Sequence, residues 1–276
     1  MNFAIDTPNF GDFADPLLLA QLAREAEAAG WDGFFLWDHI GAGWPYPVGD
    51  PWVQLAAMAM TTERIKIGTT VTPLPRRRPW QLARTVATLD HLSHGRVILG
   101  VGIGSNTAQE YSCFGESPDD RVHAAMLDEG LAIMTGLWRG EPFSYQGAHY
   151  QVDQAQFLPA PVQVPRVPIW VAGIWPNKPP FRRAAQWDGV CPIGRDHVPT
   201  PEDIQAMLAY TRQYRQDDTP LDVVLGSYER DAGDLGDYLA EYAAAGVTWW
   251  LECFDWNDTL AEVRARIQRG PHRTSC

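Results

Sequence analysis

The sequence predicts a (β/α)8 barrel, a closed cylinder of eight parallel strands surrounded by eight helices. Short apolar segments rich in β-branched and aromatic residues alternate with segments of helical periodicity along the chain. Eight such strand–helix pairs fit within 276 residues, a length typical of this barrel. A doubly wound open sheet is the alternative, but it rarely needs eight units.

The predicted strands are short and apolar, as expected of parallel strands buried on both faces. They are residues 2–6, 33–37, 65–71, 97–101, 168–172, 187–192, 222–226 and 247–251. The predicted helices are residues 15–29, 51–62, 79–92, 119–136, 178–186, 201–215, 234–245 and 259–268. The first helix has typical end signals, since Asp15 can cap it, Pro16 opens it and Gly30 follows it.

One region interrupts this alternation. Residues 137–167 carry aromatic residues, glycine and several prolines without helical periodicity. We expect a β-hairpin inserted before the fifth strand. The chain has no interdomain linker and no low-complexity tract, so we expect one domain over residues 1–276.

Composition excludes several classes of protein. The net charge of −12 disfavours binding to nucleic acid and to anionic membranes. No run of eighteen apolar residues predicts a membrane span, and the N-terminus lacks the pattern of a secretory signal. The four cysteines form no CxxC pair, which indicates a reducing cytoplasm and argues against structural zinc.

In such a barrel the functional groups lie at the carboxyl ends of the strands. His39 directly follows the second strand and titrates near neutral pH, so it is the leading acid/base candidate. The alternative is a structural histidine bonded to a neighbouring loop. The adjacent Asp38 is expected to point elsewhere, because successive side chains alternate faces.

Two glycine-bearing segments follow neighbouring strands. Gly102 and Gly104, followed by Ser105 and Asn106, can bring backbone N–H groups close to a phosphate. Ser105 stands where the GxGxxG fingerprint requires glycine, so that motif is absent. Gly173 can contribute in the same way after the fifth strand. Alternatively, these glycines only relieve crowding or mark ordinary strand ends.

Two carboxylates are also placed near the mouth of the barrel. Glu110 and Glu252 could serve a hydrolase such as a glycosidase, which needs two carboxyl groups on opposite sides of a sugar. In that reading the glycine segments have no explanation. Neither an HxH nor an HExxH pair is present, so we expect no metal site.

Several segments together resemble the bacterial-luciferase-like flavin-dependent oxidoreductases. They are EAEAAGWDGFFLWDH, residues 50–106 almost continuously, VPIWVAG, RAAQWDGVCP and the tail from GVTWWLECF to RIQRGP. The resemblance spans nearly the whole chain in the expected order. It is specific for the family and not for a substrate.

The resemblance implies a flavin or deazaflavin ring in the barrel mouth and assigns residues to it. Asp38 and His39 match a pair near the reactive ring edge. The stretch GTTV matches a bulge that supports the ring, which predicts a non-proline cis peptide or a strained bulge at Thr70-Val71. The residues that match the two phosphate-side loops are Gly102, Gly104, Ser105, Asn106, Gly173 and Ile174.

The resemblance leaves the cofactor open between FMN and the deazaflavin coenzyme F420. FMN, reduced by a partner reductase, implies a monooxygenase, whereas F420 implies direct hydride transfer. The loop from Gly104 to Thr107 departs from the family, which often has a bulky tryptophan followed by acidic residues there. A non-catalytic flavin-binding protein and the hydrolase are the rival readings, and relatives suggest a homodimer.

The candidate site also includes groups for the small organic substrate. His39 is expected to transfer the proton, with Asp38 and Glu252 as further catalytic candidates. We expect an aromatic wall for a planar ligand. Its members are Phe10, Trp44, Trp175 and Trp250.

Overall fold

Eight parallel strands close into a barrel in the computed structural model, which describes residues 1–41, 43–105, 109–195, 197–227 and 235–272. The barrel strands are β1 (Asn2–Thr7), β2 (Gly33–Leu36), β3 (Lys66–Pro73), β4 (Val97–Gly102), β7 (Ile169–Trp175), β8 (Gly189–Gly194), β9 (Asp222–Ser227) and β10 (Trp249–Cys253). They pair in chain order, and β1 closes the cylinder against β10. The predicted barrel is therefore confirmed.

Helices on the outside of the barrel follow the strands. They are α1 (Pro16–Ala28), α2 (Pro51–Thr61), α3 (Pro79–Leu92), α4 (Asp120–Leu137), α5 (Lys178–Ala184), α6 (Pro201–Arg212), α7 (Leu235–Ala245) and α8 (Leu260–Arg269). Asp15 caps α1 as predicted, because its carboxylate accepts a hydrogen bond from the Leu17 N–H at 2.8 Å. Among the described residues, no helix is long and apolar enough to cross a membrane.

The predicted hairpin is present between α4 and β7. It consists of the antiparallel strands β5 (Phe143–Gln146) and β6 (Gln151–Ala155), which form a separate two-stranded sheet. Glu129 of α4 anchors the turn by accepting hydrogen bonds from the backbone N–H groups of Ala148, His149 and Tyr150. The insertion therefore packs on the outside of the barrel and leaves the strand order intact.

Side-chain alternation divides the buried residues into two clusters. One cluster fills the barrel interior, and its members are Ala4, Phe35, Ile98, Trp170, Cys191, Val224, Trp249, Leu251 and Cys253. The larger cluster lies between the strands and the helices and includes Phe34 and Trp250. Because side chains alternate along a strand, only polar residues at inward-facing positions can reach the barrel mouth.

The interior is tightest where β3 and β4 approach each other. A Cβ atom on Gly68 would lie 1.8 Å from the backbone oxygen of Ile98, and one on Gly100 would lie 2.1 Å from the backbone oxygen of Thr69. Neither oxygen can move without disturbing the strand ladder. These two glycines are therefore required by the packing of the barrel.

We predict that Gly68→Ala destabilises the protein by about 3 kcal/mol or prevents folding, because the added methyl group collides with backbone. Urea unfolding measures the effect. Gly236→Ala in α7 is the control, since its Cβ would meet nothing within 4 Å. Equal stabilities of the two variants would contradict the steric argument.

Candidate active site

The carboxylate of Asp6 lies at the mouth end of β1, with its side chain on the interior face. It accepts hydrogen bonds from the hydroxyl of Thr70, from the indole Nε1 of Trp37 at 2.9 Å and from the Sγ of Cys253 at 3.6 Å. Asp6 thereby joins three barrel strands. Desolvation by burial raises the pKa of Asp6 to about 7, although hydrogen bonds from Thr70, Trp37 and Cys253 oppose the rise.

The backbone of His39 is held by a buried amide. The Nδ2 group of Asn9 donates to the carbonyl oxygens of His39 at 2.8 Å and of Gly49 at 2.7 Å. In return, the N–H of His39 donates to Oδ1 of Asn9 at 3.0 Å. Asn9 is fully buried, so this contact places the segment after β2 against the segment after β1.

The imidazole of His39 pairs with Glu110, which lies in the loop between β4 and α4. The Nδ1 atom of His39 is 3.2 Å from Oε1 of Glu110. The same oxygen accepts hydrogen bonds from the N–H groups of Ile40 at 2.7 Å and Gly41 at 3.1 Å. The Glu110 side chain is 3% exposed and the His39 ring is 33% exposed, so the carboxylate is buried behind a ring that reaches solvent.

Two arginines compensate the buried carboxylates of this site. Arg76 donates to Glu110 and also to Oδ1 of Asp38 at 2.8 Å. Arg77 donates to Asp38 through two nitrogens, at 3.0 and 2.8 Å. Thr72 donates a further hydrogen bond to Asp38 at 2.9 Å. Asp38 is therefore engaged by three side chains, and its part in catalysis stays a prediction.

The environment of Glu110 favours its ionised form. Burial raises the pKa of this carboxyl group, but the hydrogen bond with His39, the charge of Arg76 and the N–H of Gly41 together lower it. The pKa of Glu110 consequently lies below its ordinary value of 4.5. Glu110 is thus a permanent acceptor for the Nδ1 proton of His39 at neutral pH.

An aromatic wall, comprising Phe10, Trp37, Trp44, Tyr46 and Trp256, stands beside His39. The Phe10 ring lies within 6.5 Å, between centroids, of each of the other four. Trp44 also lies 4.9 Å from the His39 ring. The wall brings together three loops, and an isolated bridge between Phe10 and Val48 joins two of them. Phe10 and Trp44 therefore lie together beside His39, and their contact with a substrate stays a prediction.

The non-proline cis peptide predicted at Thr70-Val71 is present. The β3–β4 register shifts between Thr69 and Thr72, which is the predicted bulge. The bulge turns Val71 toward β4, where a Cβ atom on Gly102 would lie 3.0 Å from the Val71 side chain. The glycine at position 102 therefore accommodates the Val71 side chain.

The glycine segment after β4 is connected to the histidine pair. Gly104 has a φ of +73°, and a Cβ atom there would lie 2.9 Å from the hydroxyl oxygen of Tyr111. The Tyr111 hydroxyl donates to the carbonyl of Ile103 at 2.7 Å, and Tyr111 directly follows Glu110. Gly104 and His39 thus belong to one rim. Ser105 is exposed, and Asn106 lies outside the described residues.

Two predicted site residues on β10 face the wrong way. Trp249, Leu251 and Cys253 point into the barrel, so Trp250 and Glu252 point outward. Trp250 packs on Tyr238 and Tyr242 of α7, and Glu252 forms a buried ion pair with Arg266 of α8. The placement of Trp250 in the pocket and of Glu252 in the catalytic set is therefore wrong, because β10 is buried on both faces and its sequence does not show which residues point inward.

The segment after β7 also differs from expectation. Trp175 packs edge-on against Phe181 of α5, at 5.1 Å between centroids, and lies outside the aromatic wall. A Cβ atom on Gly173 would lie 2.5 Å from Pro180. Gly173 therefore admits the close approach of α5, whereas Ile174 is 43% exposed. The assignment of Trp175 to the pocket wall is wrong.

The network around His39 contains residues that the sequence did not single out for this role. They are Asn9, Trp37, Arg76, Arg77 and the partner Glu110. The position of the two arginines in the sequence could have predicted their role. They follow β3, and charged residues after the carboxyl end of a barrel strand are expected at the mouth. In the described ranges no group of three His, Cys, Asp or Glu side chains could hold a metal ion.

With this geometry established, comparison with known proteins identifies the family. Residues 14–228 match the model of the luciferase-like monooxygenases, so the chain belongs to this family and is an oxidoreductase. An uncharacterized protein of Mycobacterium tuberculosis is 37% identical over 230 residues, which cover 82% of this chain and 77% of that protein.

Two further relatives use the deazaflavin coenzyme according to their names. The F420-dependent glucose-6-phosphate dehydrogenase of Nakamurella multipartita is 34% identical over 166 residues, and the match covers 58% of this chain and 48% of that enzyme. The structure of an F420-dependent secondary alcohol dehydrogenase in complex with an F420-acetone adduct has a TM-score of 0.78 at 18% identity, covering 97% and 96% of the two chains. The latter is a likeness of fold. The family as a whole supports a cofactor of the flavin or deazaflavin class.

We predict that Asp6→Asn changes how stability depends on pH. A raised carboxyl pKa means that the folded protein holds the Asp6 proton more tightly than the unfolded chain does. The stability that Asp6 contributes to the wild type is therefore lost as the pH rises from about 4 to about 7. The variant escapes this loss, which amounts to about 4 kcal/mol at most.

Urea unfolding of both proteins between pH 4 and pH 8 measures this difference. Asp120→Asn, at an exposed position of α4, is the matched control and should keep the pH dependence of the wild type. Parallel curves for Asp6→Asn and the wild type would show that burial does not hold the proton on Asp6.

Proposed function

We propose that this protein is a deazaflavin-dependent oxidoreductase that interconverts a small alcohol and its carbonyl compound at the barrel mouth. The observation that carries the proposal is the His39–Glu110 pair, in which a buried carboxylate orients a partly exposed imidazole. Oxidation of an alcohol removes a hydride from carbon and a proton from oxygen. The proton needs an acceptor, and His39 is the residue suited to take it.

The tautomer of His39 follows from its partner. An ionised carboxylate only accepts hydrogen bonds, so Nδ1 of His39 carries the proton that points to Glu110. The Nε2 atom then has a free lone pair, and none of the described residues donates a hydrogen bond to it. Such an imidazole takes the hydroxyl proton of the substrate as the C=O bond forms.

The residues that the family resemblance assigns to a planar redox ring are neighbours on one rim of the mouth. The bulge at Thr70-Val71 lies against the glycine segment after β4, since a Cβ atom on Gly102 would contact Val71 and one on Gly104 would contact Tyr111. Thr70, Val71, Gly102, Gly104 and Ser105 are the residues that would hold the cofactor, with the backbone of Gly173 and Ile174 on the far side. When bound, a deazaflavin accepts the hydride that leaves the substrate carbon.

Two observations support the deazaflavin over FMN. The relatives named F420-dependent glucose-6-phosphate dehydrogenases match this chain at 31–38% identity, although the chain spans only about half of their length. An acid/base pair is also what hydride transfer from an alcohol requires. The second candidate is an FMN-dependent monooxygenase supplied by a partner reductase, and the description of the matching family favours it.

The surroundings of His39 favour an uncharged substrate. Arg76 and Arg77 are both paired with carboxylates, so their charges are already compensated. The aromatic wall offers apolar ring faces instead. We therefore infer a small neutral alcohol or carbonyl compound with an apolar or cyclic body.

The rival hydrolase lacks its geometry. Its two carboxylates would have to face one cavity, but Glu252 points away from the barrel interior toward Arg266 of α8. Glu110 is engaged by Arg76, His39 and two backbone N–H groups. The non-catalytic flavin-binding protein remains an outcome of the experiment below.

We predict that the protein binds F420 at micromolar concentration and that His39→Gln lowers kcat by about 100-fold or more, because the proton acceptor is lost. Fluorescence titration with F420 and with FMN measures binding, and cofactor reduction with a panel of neutral alcohols measures turnover. Binding of F420 should be unchanged in His39→Gln. His149→Ala, at an exposed hairpin position, is the control and should keep full activity.

Other outcomes separate the alternatives. Tighter binding of FMN, with oxygen consumption when reduced FMN is supplied, would replace the proposal by the monooxygenase. Binding without turnover would support a flavin-binding protein. Failure of both cofactors to bind below millimolar concentration would end the proposal.

A further inference from the structure

The three consecutive arginines at positions 76–78 stand out in an acidic chain. Two of them turn toward the buried carboxylates beside His39, whereas the third is the N-terminal boundary residue of α3. The proposed chemistry uses neither guanidinium directly. Their presence in the site therefore needs its own explanation.

Arg76 and Arg77 differ in what they contact. Arg76 bridges Asp38 and Glu110, and its side chain is only 5% exposed. Arg77 contacts the carboxylate of Asp38 alone, and its side chain is 26% exposed. Arg76 is thus the arginine that directly compensates the carboxylate bonded to His39.

Arg76 and His39 share one carboxylate. Glu110 accepts a hydrogen bond from Arg76 and faces Nδ1 of His39, so a protonated His39 would place a second positive charge close to the guanidinium of Arg76. Because like charges repel each other in a partly buried site, Arg76 favours the neutral imidazole.

We propose that Arg76 is a positioning residue that keeps His39 neutral by compensating the charge of Glu110. Glu110 can then fix the Nδ1 proton without drawing a second proton onto the ring. The proposal deepens the proposed function, since a base must be neutral to accept the substrate proton. Its primary test uses the protein without cofactor and is independent of turnover.

The groups that face His39 are few. Glu110 contacts Nδ1, and the rings of Phe10, Trp37 and Trp44 surround the imidazole without charge. A cavity of about 260 Å³ adjoins the ring, and its charged lining residues are Asp38, Asp50, Arg76 and Arg77. Asp50 caps α2, and Asp6 lies on the other side of Trp37.

The direction of the effect follows from these charges. Removing the positive charge of Arg76 leaves Glu110 uncompensated, and the carboxylate then stabilises the imidazolium form of His39. The ring should therefore become protonated at a higher pH, by about one unit, in Arg76→Gln than in the wild type. Arg77→Gln is the matched control, and its shift should be less than half as large, since Arg77 does not contact Glu110.

Histidine-selective NMR titration of the full chain measures the effect, and the His39 resonance is assigned by its loss in His39→Gln. We expect the wild-type ring to be the neutral Nδ1–H tautomer at pH 7. Arg76→Lys keeps the charge and should titrate close to the wild type, which also separates charge from misfolding if Arg76→Gln is unstable. Equal shifts in Arg76→Gln and Arg77→Gln, or a wild-type ring already protonated at pH 7, would overturn the proposal.

Activity adds a second readout. In Arg76→Gln, kcat/KM should rise at a higher pH than in the wild type, by the same interval as the NMR titration shifts. At high pH, kcat of the variant should approach that of the wild type. A shift in the NMR titration without turnover on any cofactor would uphold the role of Arg76 and refute the proposed function. Turnover that depends on His39, with no shift of the His39 titration in Arg76→Gln, would support the proposed function and refute the role of Arg76.

Discussion

The buried carboxylate of Glu110 is the constraint around which the site is built. A buried negative charge persists in a folded protein only when it is paired and hydrogen-bonded. Glu110 meets this requirement through Arg76, His39 and the backbone of Ile40 and Gly41. These contacts join the segments after β2, β3 and β4, so Glu110 fixes the position of His39 relative to both neighbouring segments.

The barrel supplies the second constraint through the alternation of its strands. Interior positions fill the cylinder, and outward positions pack against helices, so each polar residue is assigned to one layer by its place in the strand. Asp6 reaches the mouth because Ala4 lies inside, two positions earlier. Glu252 joins an ion pair with α8 because Leu251 takes the interior position.

The two sides of the mouth have different chemical character. The side formed by the segments after β1, β2 and β10 carries the aromatic wall and the imidazole. The side formed by β3 and β4 carries a backbone bulge and closely packed glycines. This separation suits the proposed reaction, in which one side would hold the cofactor and the other would contact the substrate.

The sequence alone determined the barrel, the bounds of its strands and helices to within a few residues, and the hairpin before β7, because periodicity and end signals are local. It also placed His39 at the mouth, and family resemblance located the cis peptide at Thr70-Val71. Only the tertiary structure paired His39 with Glu110, 71 residues away. It also decided that Trp250 and Glu252 face outward. Which residues of a strand buried on both faces point inward, and which loops contact each other, depends on packing across the whole barrel.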